Sequence, residues 1–343
     1  ALRVGLVGAG RVAIVHLRAL VQASFEVPLK VTHLVVSSNI ERARLLADRA
    51  QIAHVSTNLD DVFSNPEVDF VVVASSSIVH TDCLLLAAAS RKPVFCEKPG
   101  GVDLKELLNA KKALDASGTK HMIAFNHRLD PNALRIKGAI DNGEIGEIIS
   151  LTLINRDEFV PRQEFIRSSG GIFKDLAIHE FDMANYLVGR QVSKVWAKGE
   201  VKKFPYFAEE GDFDSASVLI CYDGGVVVNV SLARGNSYGY DQRTEVFGTL
   251  GTAVSQNIGP NQVEAWTAKG LAKDPLFYGP DKTSFEARYG ESFVKEMKLF
   301  LHYLRDDNIK VPNIDDAIRA MQIAEAAKES AKTGAFELIE QLA

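Results

Sequence analysis

Short runs of valine, leucine and isoleucine alternate with longer helix-like stretches in the first third of the chain. This alternation is typical of a parallel sheet whose strands are joined by crossover helices. The run VDFVVVA at 68–74 is apolar without alternation, which predicts a central strand covered on both faces. The predicted strands lie at residues 2–7, 31–36, 69–74, 93–96 and 121–125.

After about residue 145 the pattern changes to longer segments separated by hairpin turns. In SVLICYDGGVVVNVSL, residues 217–232, Asp223 and two glycines supply the turn between two apolar runs. Amphipathic helices are predicted at 292–305 and 315–332, near the end of the sequence. The second part of the chain is therefore expected to form an antiparallel sheet closed by helices.

The length of the chain, 343 residues, also favours two domains, because one hydrophobic core rarely serves so many residues. We predict an α/β domain with a parallel sheet over residues 1–126. A second, α+β domain with a predominantly antiparallel sheet is predicted over residues 127–343.

Composition narrows the class of partner. With 46% hydrophobic and 24% charged residues, the chain has the balance of an ordinary globular protein. Its net charge of −5 gives no electrostatic reason to expect nucleic acid or an anionic membrane as partner. No run reaches the roughly 20 apolar residues of a membrane helix, and no signal peptide is visible. We therefore expect a cytoplasmic protein that binds a small molecule.

The first chemical motif is GLVGAGRVA at residues 5–13, in which two glycines follow the first strand and open a helix. Such glycines let the backbone turn tightly and approach a pyrophosphate, whose charge then lies at the positive end of the helix. The first strand of a parallel α/β pattern is the context that this motif requires. We predict a dinucleotide site at Gly8, Gly10, Arg11 and Val12, and interpret His16, further along the helix, as a packed residue.

The end of the second strand should hold the ribose of the dinucleotide. NAD sites usually carry an acidic residue there, whereas this chain has Ser37 and Ser38 and no carboxylate before Glu41. Serine hydroxyls can donate to the 2′-phosphate of NADP, and Arg42 could neutralise it. Alternatively, Arg42 is a solvated helix residue and the protein uses NAD. The expected cofactor is thus NAD(P), with tolerance of NADP.

The second chemical motif is FKDLAIHEFDMANYLVG at residues 173–189, which predicts a helix. On that helix one continuous polar stripe would contain Asp175, His179, Asp182 and Tyr186. The short polar side chains of this stripe differ from those of an ordinary solvated helix face, which is the alternative interpretation. A neutral His179 oriented by Asp175 is a suitable general base for an alcohol proton near pH 7.

No metal site is predicted. The cysteines Cys83, Cys96 and Cys221 are too widely spaced for a zinc site or a disulfide framework. Glu180 follows His179 directly, but a carboxylate-rich set without a second histidine is a poor zinc site. Chemistry on a polyol is the stronger interpretation of this helix.

Five segments, taken together and in order, resemble the glucose-fructose oxidoreductase/inositol dehydrogenase family. They are the glycine-rich turn, EKPGG at 97–101, NGEIGEI at 142–148, SGGIFKDLAIHEFDMANYLVG at 169–189 and YGYDQRTEVFGTLGT at 238–252. The resemblance runs over nearly the whole chain. Within the family, the residues from 170 to 189 and the YDQR segment are most similar to inositol 2-dehydrogenases.

The resemblance implies a Rossmann domain followed by an open, mostly antiparallel sheet that serves assembly into a homo-oligomer, a dimer or a tetramer. It implies catalytic roles for Lys98, Asp175 and His179. The further cofactor-binding positions that it implies are Ser75, Ser77, His80, Glu97 and Lys98. The implied substrate-binding positions are Lys98, Arg128, Asn155, Asp157, Asp175, His179 and Tyr240, with Tyr238 as the alternative to Tyr240.

The implied reaction is reversible hydride transfer between a ring carbinol of a cyclitol or sugar and the nicotinamide C4 atom. His179 would take the hydroxyl proton, Asp175 would hold its tautomer, and Lys98 would stabilise the developing alkoxide. In the alternative assignment Lys98 is itself the base.

Two departures from the family pattern leave the cofactor preference and the substrate open. Ser37 resembles the NADP-binding branch, and the neighbours of Arg128 and Asn155 differ from the bacterial inositol pattern. Scyllo-inositol, aldopyranoses and anhydrosugars therefore stand beside myo-inositol as candidates. A non-catalytic dinucleotide sensor of the same fold is a further alternative, which the presence of Lys98, Asp175 and His179 disfavours.

Overall fold

The structure is a computed structural model that describes residues 1–257, 265–267, 270–272 and 284–340. These residues form two compact units. The first unit contains Ala1–Asp130, Arg167–Gly170 and Glu291–Ala324, and the second contains the remaining described residues.

The first unit is built on a six-stranded parallel sheet. Its strands are β1 (Leu2–Val7), β2 (Leu29–Val35), β3 (His54–Ser56), β4 (Phe70–Val73), β5 (Val94–Glu97) and β6 (His121–Ala124). The helices between them are α1 (Arg11–Ala23), α2 (Ile40–Ala50), α3 (Asp60–Phe63), α4 (His80–Ser90) and α5 (Leu104–Ser117). The strand order is β3-β2-β1-β4-β5-β6, which reverses between β1 and β4. Open α/β sheets bind ligands at such a reversal, beyond the carboxyl ends of the strands.

The core of the first unit includes β4 and β5, the two strands that follow the reversal in the sheet order. Every residue of β4 and β5 is buried, which explains why their sequences show no polar alternation. The five predicted strands are confirmed to within about two residues at each end, the usual uncertainty of strand and helix boundaries. The edge strand β3 was not predicted, because three residues that are exposed or half-buried give too short an apolar pattern.

The second unit is built on a seven-stranded mixed sheet. The strands after residue 130 are β7 (Ile148–Arg156), β8 (Val192–Glu200), β9 (Ser215–Tyr222), β10 (Val227–Ala233), β11 (Asp241–Gly248), β12 (Thr252–Ser255), β13 (Ala265–Thr267), β14 (Gly270–Ala272) and β15 (Glu337–Leu338). The order in the large sheet is β12-β11-β7-β10-β9-β8-β15, while β13 and β14 pair separately. Its pairings are antiparallel except for β7 with β10, so the predicted fold class is confirmed.

The hairpin between β9 and β10 follows the predicted turn. Gly224 and Gly225 have φ values of +81° and +85°, which residues with a Cβ rarely adopt. Along β9 and β10 buried residues alternate with more exposed ones, so one face of the sheet carries the core of this unit.

Six helices accompany the strands of the later part of the chain. They are α6 (Pro131–Asp141), α7 (Gln163–Ser169), α8 (Ile178–Val188), α9 (Tyr206–Glu209), α10 (Phe285–Tyr303) and α11 (Ile314–Thr333). The prediction at 315–332 is confirmed, but α10 begins before the predicted start at 292, because Gly290 interrupts the sequence pattern without ending the helix. No helix in the described part of the chain is long and apolar enough to cross a membrane.

Candidate active site

The turn after β1 has the geometry of an anion-binding site. Gly8 has a φ of +111°, and a Cβ at this residue would lie 2.3 Å from the carbonyl oxygen of Ala74. Gly10 lies just before α1 in an extended conformation, and no side chain caps the N-terminus of this helix. A Cβ at Gly10 would meet nothing within 4 Å. The first N–H groups of α1 therefore lie beside open space, where a phosphate group can satisfy them.

Two further predicted cofactor residues lie close to this turn. The Ser75 hydroxyl oxygen is buried and has no hydrogen-bond partner among the described residues. His80, the first residue of α4, has its Nε2 atom 3.2 Å from the carbonyl oxygen of Ser75. Burial lowers the pKa of His80 to about 4, so the ring is neutral near pH 7 and Nε2–H donates. Ser77 begins a short helical turn just before His80.

These residues fit a dinucleotide. Gly8 lets the turn pass close to the backbone at Ala74, the space beside Gly10 is open, and no side chain caps the helix that follows. The orphaned Ser75 hydroxyl offers a hydrogen-bonding group next to that room. A bound pyrophosphate would satisfy the first N–H groups of α1.

The residues after β2 offer hydroxyls and a guanidinium. Ser37 and Ser38 are exposed, and Arg42 is exposed in the first turn of α2. The carboxylate of Glu41 is engaged by Arg44 at 2.9 Å. These exposed groups are free of the Glu41 carboxylate's ion pair, and their assignment to the ribose or its 2′-phosphate stays a prediction.

Strand β5 ends in Glu97, whose two carboxylate oxygens have different partners. Oε2 accepts a hydrogen bond from the backbone N–H of Lys98 at 3.1 Å, and Oε1 lies 2.6 Å from Nε2 of His16. Glu97 is 8% exposed, while the Lys98 side chain is half-buried and is followed by a cis peptide bond to Pro99. The side chain of Glu97 therefore fixes the main chain from which Lys98 projects.

In the second unit, a π-helical turn, Ile172–Leu176, precedes α8. The backbone N–H of Ala177 donates to the carbonyl oxygen of Ile172, five residues earlier, so the segment is not the single regular helix that the spacing predicted. Asp175 and His179 are half-buried, whereas Asp182 is 1% exposed. The prediction of one continuous polar stripe is therefore wrong at Asp182, because this residue is buried. Asp175 and His179 remain partly exposed to solvent.

Asp175 is held by an arginine that the sequence analysis did not identify. Arg234, just after β10, donates from a terminal nitrogen to Oδ2 of Asp175 at 2.8 Å, and its side chain is 2% exposed. Asp212 accepts the backbone N–H of Ile172 through Oδ1 at 2.9 Å, and burial raises its pKa. A Cβ at Gly171 would lie 2.6 Å from that Oδ1 atom, so this approach requires glycine. The buried Arg234 therefore fixes the position of the Asp175 carboxylate.

Three other predicted substrate residues lie in the second unit. Nδ2 of Asn155 donates to the Glu180 carboxylate at 2.8 Å, and both side chains are buried. Tyr240 is buried, and burial raises its pKa well above the usual value, whereas Tyr238 is 55% exposed. Asp157 accepts a backbone N–H two residues further along the chain at 3.0 Å. Glu180 was weighed as a metal ligand from the sequence, and its role as a partner of Asn155 was missed.

Arg128 belongs to the first unit. Its guanidinium lies 3.0 Å from Oδ1 of Asp316 on α11, and both side chains are nearly buried. This ion pair gives Arg128 a fixed position, and its assignment to the substrate stays a prediction.

The structure thus brings the predicted residues together in two groups. In the first unit the carboxyl ends of the parallel strands carry Gly8, Gly10, Arg11, Val12, Ser37, Ser38, Ser75, Ser77, His80, Glu97 and Lys98. In the second unit Asn155, Asp157, Asp175, His179 and Tyr240 lie on or next to β7, α8 and β11. The sequence signal that could have revealed Arg234 is a charged residue placed directly after the alternating strand β10 and before a glycine.

The parallel sheet that carries the first group has the strand order of a Rossmann domain, and comparisons with known proteins identify the class as an oxidoreductase. Residues 2–125 match the NAD-binding Rossmann fold of an oxidoreductase family, and residues 137–338 match the C-terminal alpha/beta domain of the same family. The chain belongs to this family, the GFO/IDH/MocA oxidoreductases, as the resemblance indicated.

Relatives with similar sequences cover almost the whole chain. An uncharacterized oxidoreductase of Bacillus subtilis, YrbE, is 35% identical over 96% of this chain and 94% of its own. An inositol 2-dehydrogenase of Rhizobium meliloti is 33% identical over 96% of both chains. The crystal structure of a myo-inositol dehydrogenase from Corynebacterium glutamicum has a TM-score of 0.89 and 31% identity, with all of both chains covered.

The ion pair between Arg234 and Asp175 can be tested by removing the cation. We expect Arg234→Met to lower the free energy of unfolding by about 2 kcal/mol, because the half-buried Asp175 carboxylate loses a charged hydrogen bond from a buried guanidinium. Thermal and urea unfolding measure this effect. The matched control is Arg190→Met, which removes an arginine whose pairing with Glu147 is exposed and should contribute less than about 1 kcal/mol. Equal losses in the two variants would contradict the assigned role of Arg234.

Proposed function

We propose that the protein is an NAD(P)-dependent dehydrogenase of a cyclitol or a closely related ring sugar. The observation that carries this proposal is the full-length similarity to an inositol 2-dehydrogenase, together with an acid and an imidazole that are half-buried in the second unit. A bound nicotinamide ring would supply the group that accepts a hydride from the ring carbinol, or donates one to the ketone in the reverse reaction. The alternatives are a dehydrogenase of another pyranose or of an anhydrosugar.

The proposed proton chemistry uses Lys98, Asp175 and His179. In the oxidising direction His179 takes the hydroxyl proton as a neutral base, since an imidazole has a suitable proton affinity near pH 7. Asp175, held in place by Arg234, holds the tautomer of His179 and stabilises the imidazolium. Lys98 stabilises the negative charge that develops on the oxygen. In the alternative assignment Lys98 takes the proton directly.

The remaining predictions on assembly and location are part of the same proposal. We place the domain boundary at residues 126/127 and expect a cytoplasmic homo-oligomer, a dimer or a tetramer. Three apolar side chains of the second unit's sheet support an assembly surface, since Ile149, Phe247 and Val254 are between 44% and 47% exposed. The expected partner is a small polyol, with no metal and no nucleic acid.

A substrate and cofactor panel tests the proposed activity. Initial rates are measured with myo-inositol, scyllo-inositol, glucose and an anhydrosugar, each with NAD and with NADP. We expect turnover of at least one cyclitol, because the similarity to an inositol 2-dehydrogenase extends over both domains. An absence of turnover on every polyol would contradict the proposal and favour a non-catalytic dinucleotide sensor.

Alanine variants test the proposed catalytic groups. Lys98→Ala and His179→Ala should each lower kcat by about 10²-fold or more, because a positioned proton-transfer or charge-stabilising group is lost. If His179 is the base, His179→Ala also removes the acid limb of the pH profile of kcat/KM, which Lys98→Ala leaves in place. The matched controls are the exposed residues Lys112 and His302, each changed to alanine. Normal turnover by either site variant with cofactor still bound would overturn its assignment.

The cofactor preference is tested at the end of β2. Ser37→Asp places a carboxylate where it repels the 2′-phosphate of NADP and accepts hydrogen bonds from the ribose of NAD. We expect the ratio of kcat/KM for NADP to that for NAD to fall by about tenfold or more. Thr57→Asp adds the same charge after the neighbouring strand β3 and should leave the ratio unchanged. An unchanged ratio in Ser37→Asp would show that Ser37 does not face the ribose.

A further inference from the structure

Three ionisable side chains lie in the core of the first unit, outside the proposed proton chemistry. They are His16 on α1, Glu97 at the end of β5 and Glu296 on α10. His16 and Glu296 are 0% exposed, and one nitrogen or oxygen atom from each of the three side chains lies within 4.8 Å of the others. Burying such groups costs free energy unless they are paired. The hydrogen-bond partners of each group therefore indicate the role of the cluster.

Glu97 links this cluster to the main chain at Lys98. Its Oε1 atom lies 2.6 Å from Nε2 of His16, and its Oε2 atom accepts the Lys98 backbone N–H at 3.1 Å. Both carboxylate oxygens are therefore used, one by the buried ring and one by the peptide group that carries Lys98. Any rotation of the Glu97 carboxylate would break one of these two contacts.

Glu296 stands on the other side of the His16 ring. One of its carboxyl oxygens lies 4.0 Å from Nδ1 of His16, and no described group donates to or accepts from either oxygen. The rings of Phe95 and Phe293 contact His16 edge-on, with centroids 5.1 and 5.6 Å away. Burial, and then the charge of Glu97, raise the pKa of Glu296 well above that of an ordinary carboxyl. Glu296 is therefore a neutral acid with one O–H to donate.

One arrangement of protons gives each of these groups a partner. The Glu296 O–H donates to Nδ1 of His16, the Nε2–H of the ring donates to Glu97, and Glu97 accepts the Lys98 N–H. A shift of about 1 Å brings the first contact to hydrogen-bond length. The other possible occupant is a metal ion, but two ligands of one tetrahedral ion lie about 3.3 Å apart. The 2.6 Å separation of His16 and Glu97 is that of a hydrogen bond.

We propose that Glu296 is a positioning residue for Lys98, acting through a buried Glu296–His16–Glu97 relay that fixes the peptide group at the end of β5. The relay holds the His16 ring in its Nε2–H tautomer, so that the Glu97 carboxylate keeps one orientation. This inference rests on the proposed role of Lys98 and adds to it the means by which the lysine is aimed.

The test compares Glu296→Gln with Glu296→Leu in the full-length protein. Glutamine keeps a donor for Nδ1 of His16, whereas leucine fills a similar volume with no donor. We expect Glu296→Gln to stay within about twofold of the wild-type kcat and Glu296→Leu to lose about tenfold, with little change in KM, because the contribution of Lys98 is made in the transition state. The thermal stability of Glu296→Leu should hold or rise, since an apolar side chain replaces a buried polar one. Met297→Leu, at the next and equally buried position of α10, is the matched control.

Two measurements separate the relay from a purely structural role. The ¹⁵N NMR shifts of the His16 ring should report the Nε2–H tautomer in the wild type and in Glu296→Gln, and lose it in Glu296→Leu. The substitution Glu296→Leu should also have no further effect in a His16→Gln background, where the glutamine donates to Glu97 by itself. If Glu296→Leu alone folds poorly, Glu296→Met, whose side chain also has no donor, takes its place in both measurements.

The outcomes distinguish an error in the role proposed for Glu296 from an error in the role proposed for Lys98. Normal kcat in Glu296→Leu while Lys98→Ala is inactive would overturn the relay alone. Normal kcat in Lys98→Ala would overturn the role of the lysine, and the relay's function with it. A stoichiometric divalent ion in the purified protein that is lost in Glu296→Leu would replace the proton relay by a metal site.

Discussion

The close approach of the turn after β1 to the end of β4 is the constraint on which the chemistry of the first unit depends. A Cβ at Gly8 would lie 2.3 Å from the carbonyl oxygen of Ala74, so only glycine lets α1 begin at the reversal of the sheet. The same start fixes the position of α1 relative to β5. The ring of His16 on α1 consequently lies 2.6 Å from Glu97. The helix that starts at this glycine turn thus carries both the predicted phosphate site, at its first residues, and His16, which pairs with Glu97 beside Lys98.

Each unit also buries a charged group next to the residues proposed for catalysis. In the second unit Arg234 is 2% exposed and pairs with Asp175, and in the first unit Glu97 shares its carboxylate between a ring nitrogen and a backbone N–H. An unpaired buried charge costs several kcal/mol, so each of these groups is tied to specific partners. Groups tied in this way need little reorganisation when charge develops during a reaction, which is the condition for electrostatic stabilisation of a transition state.

The sequence could predict those parts of the fold and site that depend on a few consecutive residues. The buried strands β4 and β5, the glycine turn and the hairpin at Gly224 each occupy a few consecutive residues. The π-helical turn before α8 was missed, because a spacing of four residues does not distinguish it from a regular helix.

The partners that position the proposed catalytic residues could not be predicted for a different reason. Arg234 is 59 residues from Asp175 along the chain, and His16 is 81 residues from Glu97. Contacts between residues so far apart follow from the packing of whole strands and helices, and no short motif records them. His16 was interpreted as a packed residue, which is right for its burial and incomplete for its hydrogen bonding.

The same kind of contact bears on the choice of substrate. Nδ2 of Asn155 donates to Glu180, so the amide is held with its Oδ1 atom available as an acceptor, and no described group donates to that buried oxygen. In the proposed function such a fixed acceptor requires a substrate hydroxyl in one direction, and a substrate without it would leave the oxygen unpaired. Myo-inositol and scyllo-inositol differ in the direction of one hydroxyl. If Asn155 binds the substrate as predicted, discrimination between them would depend on the orientation of its amide, which Glu180 sets and which residue type alone does not determine.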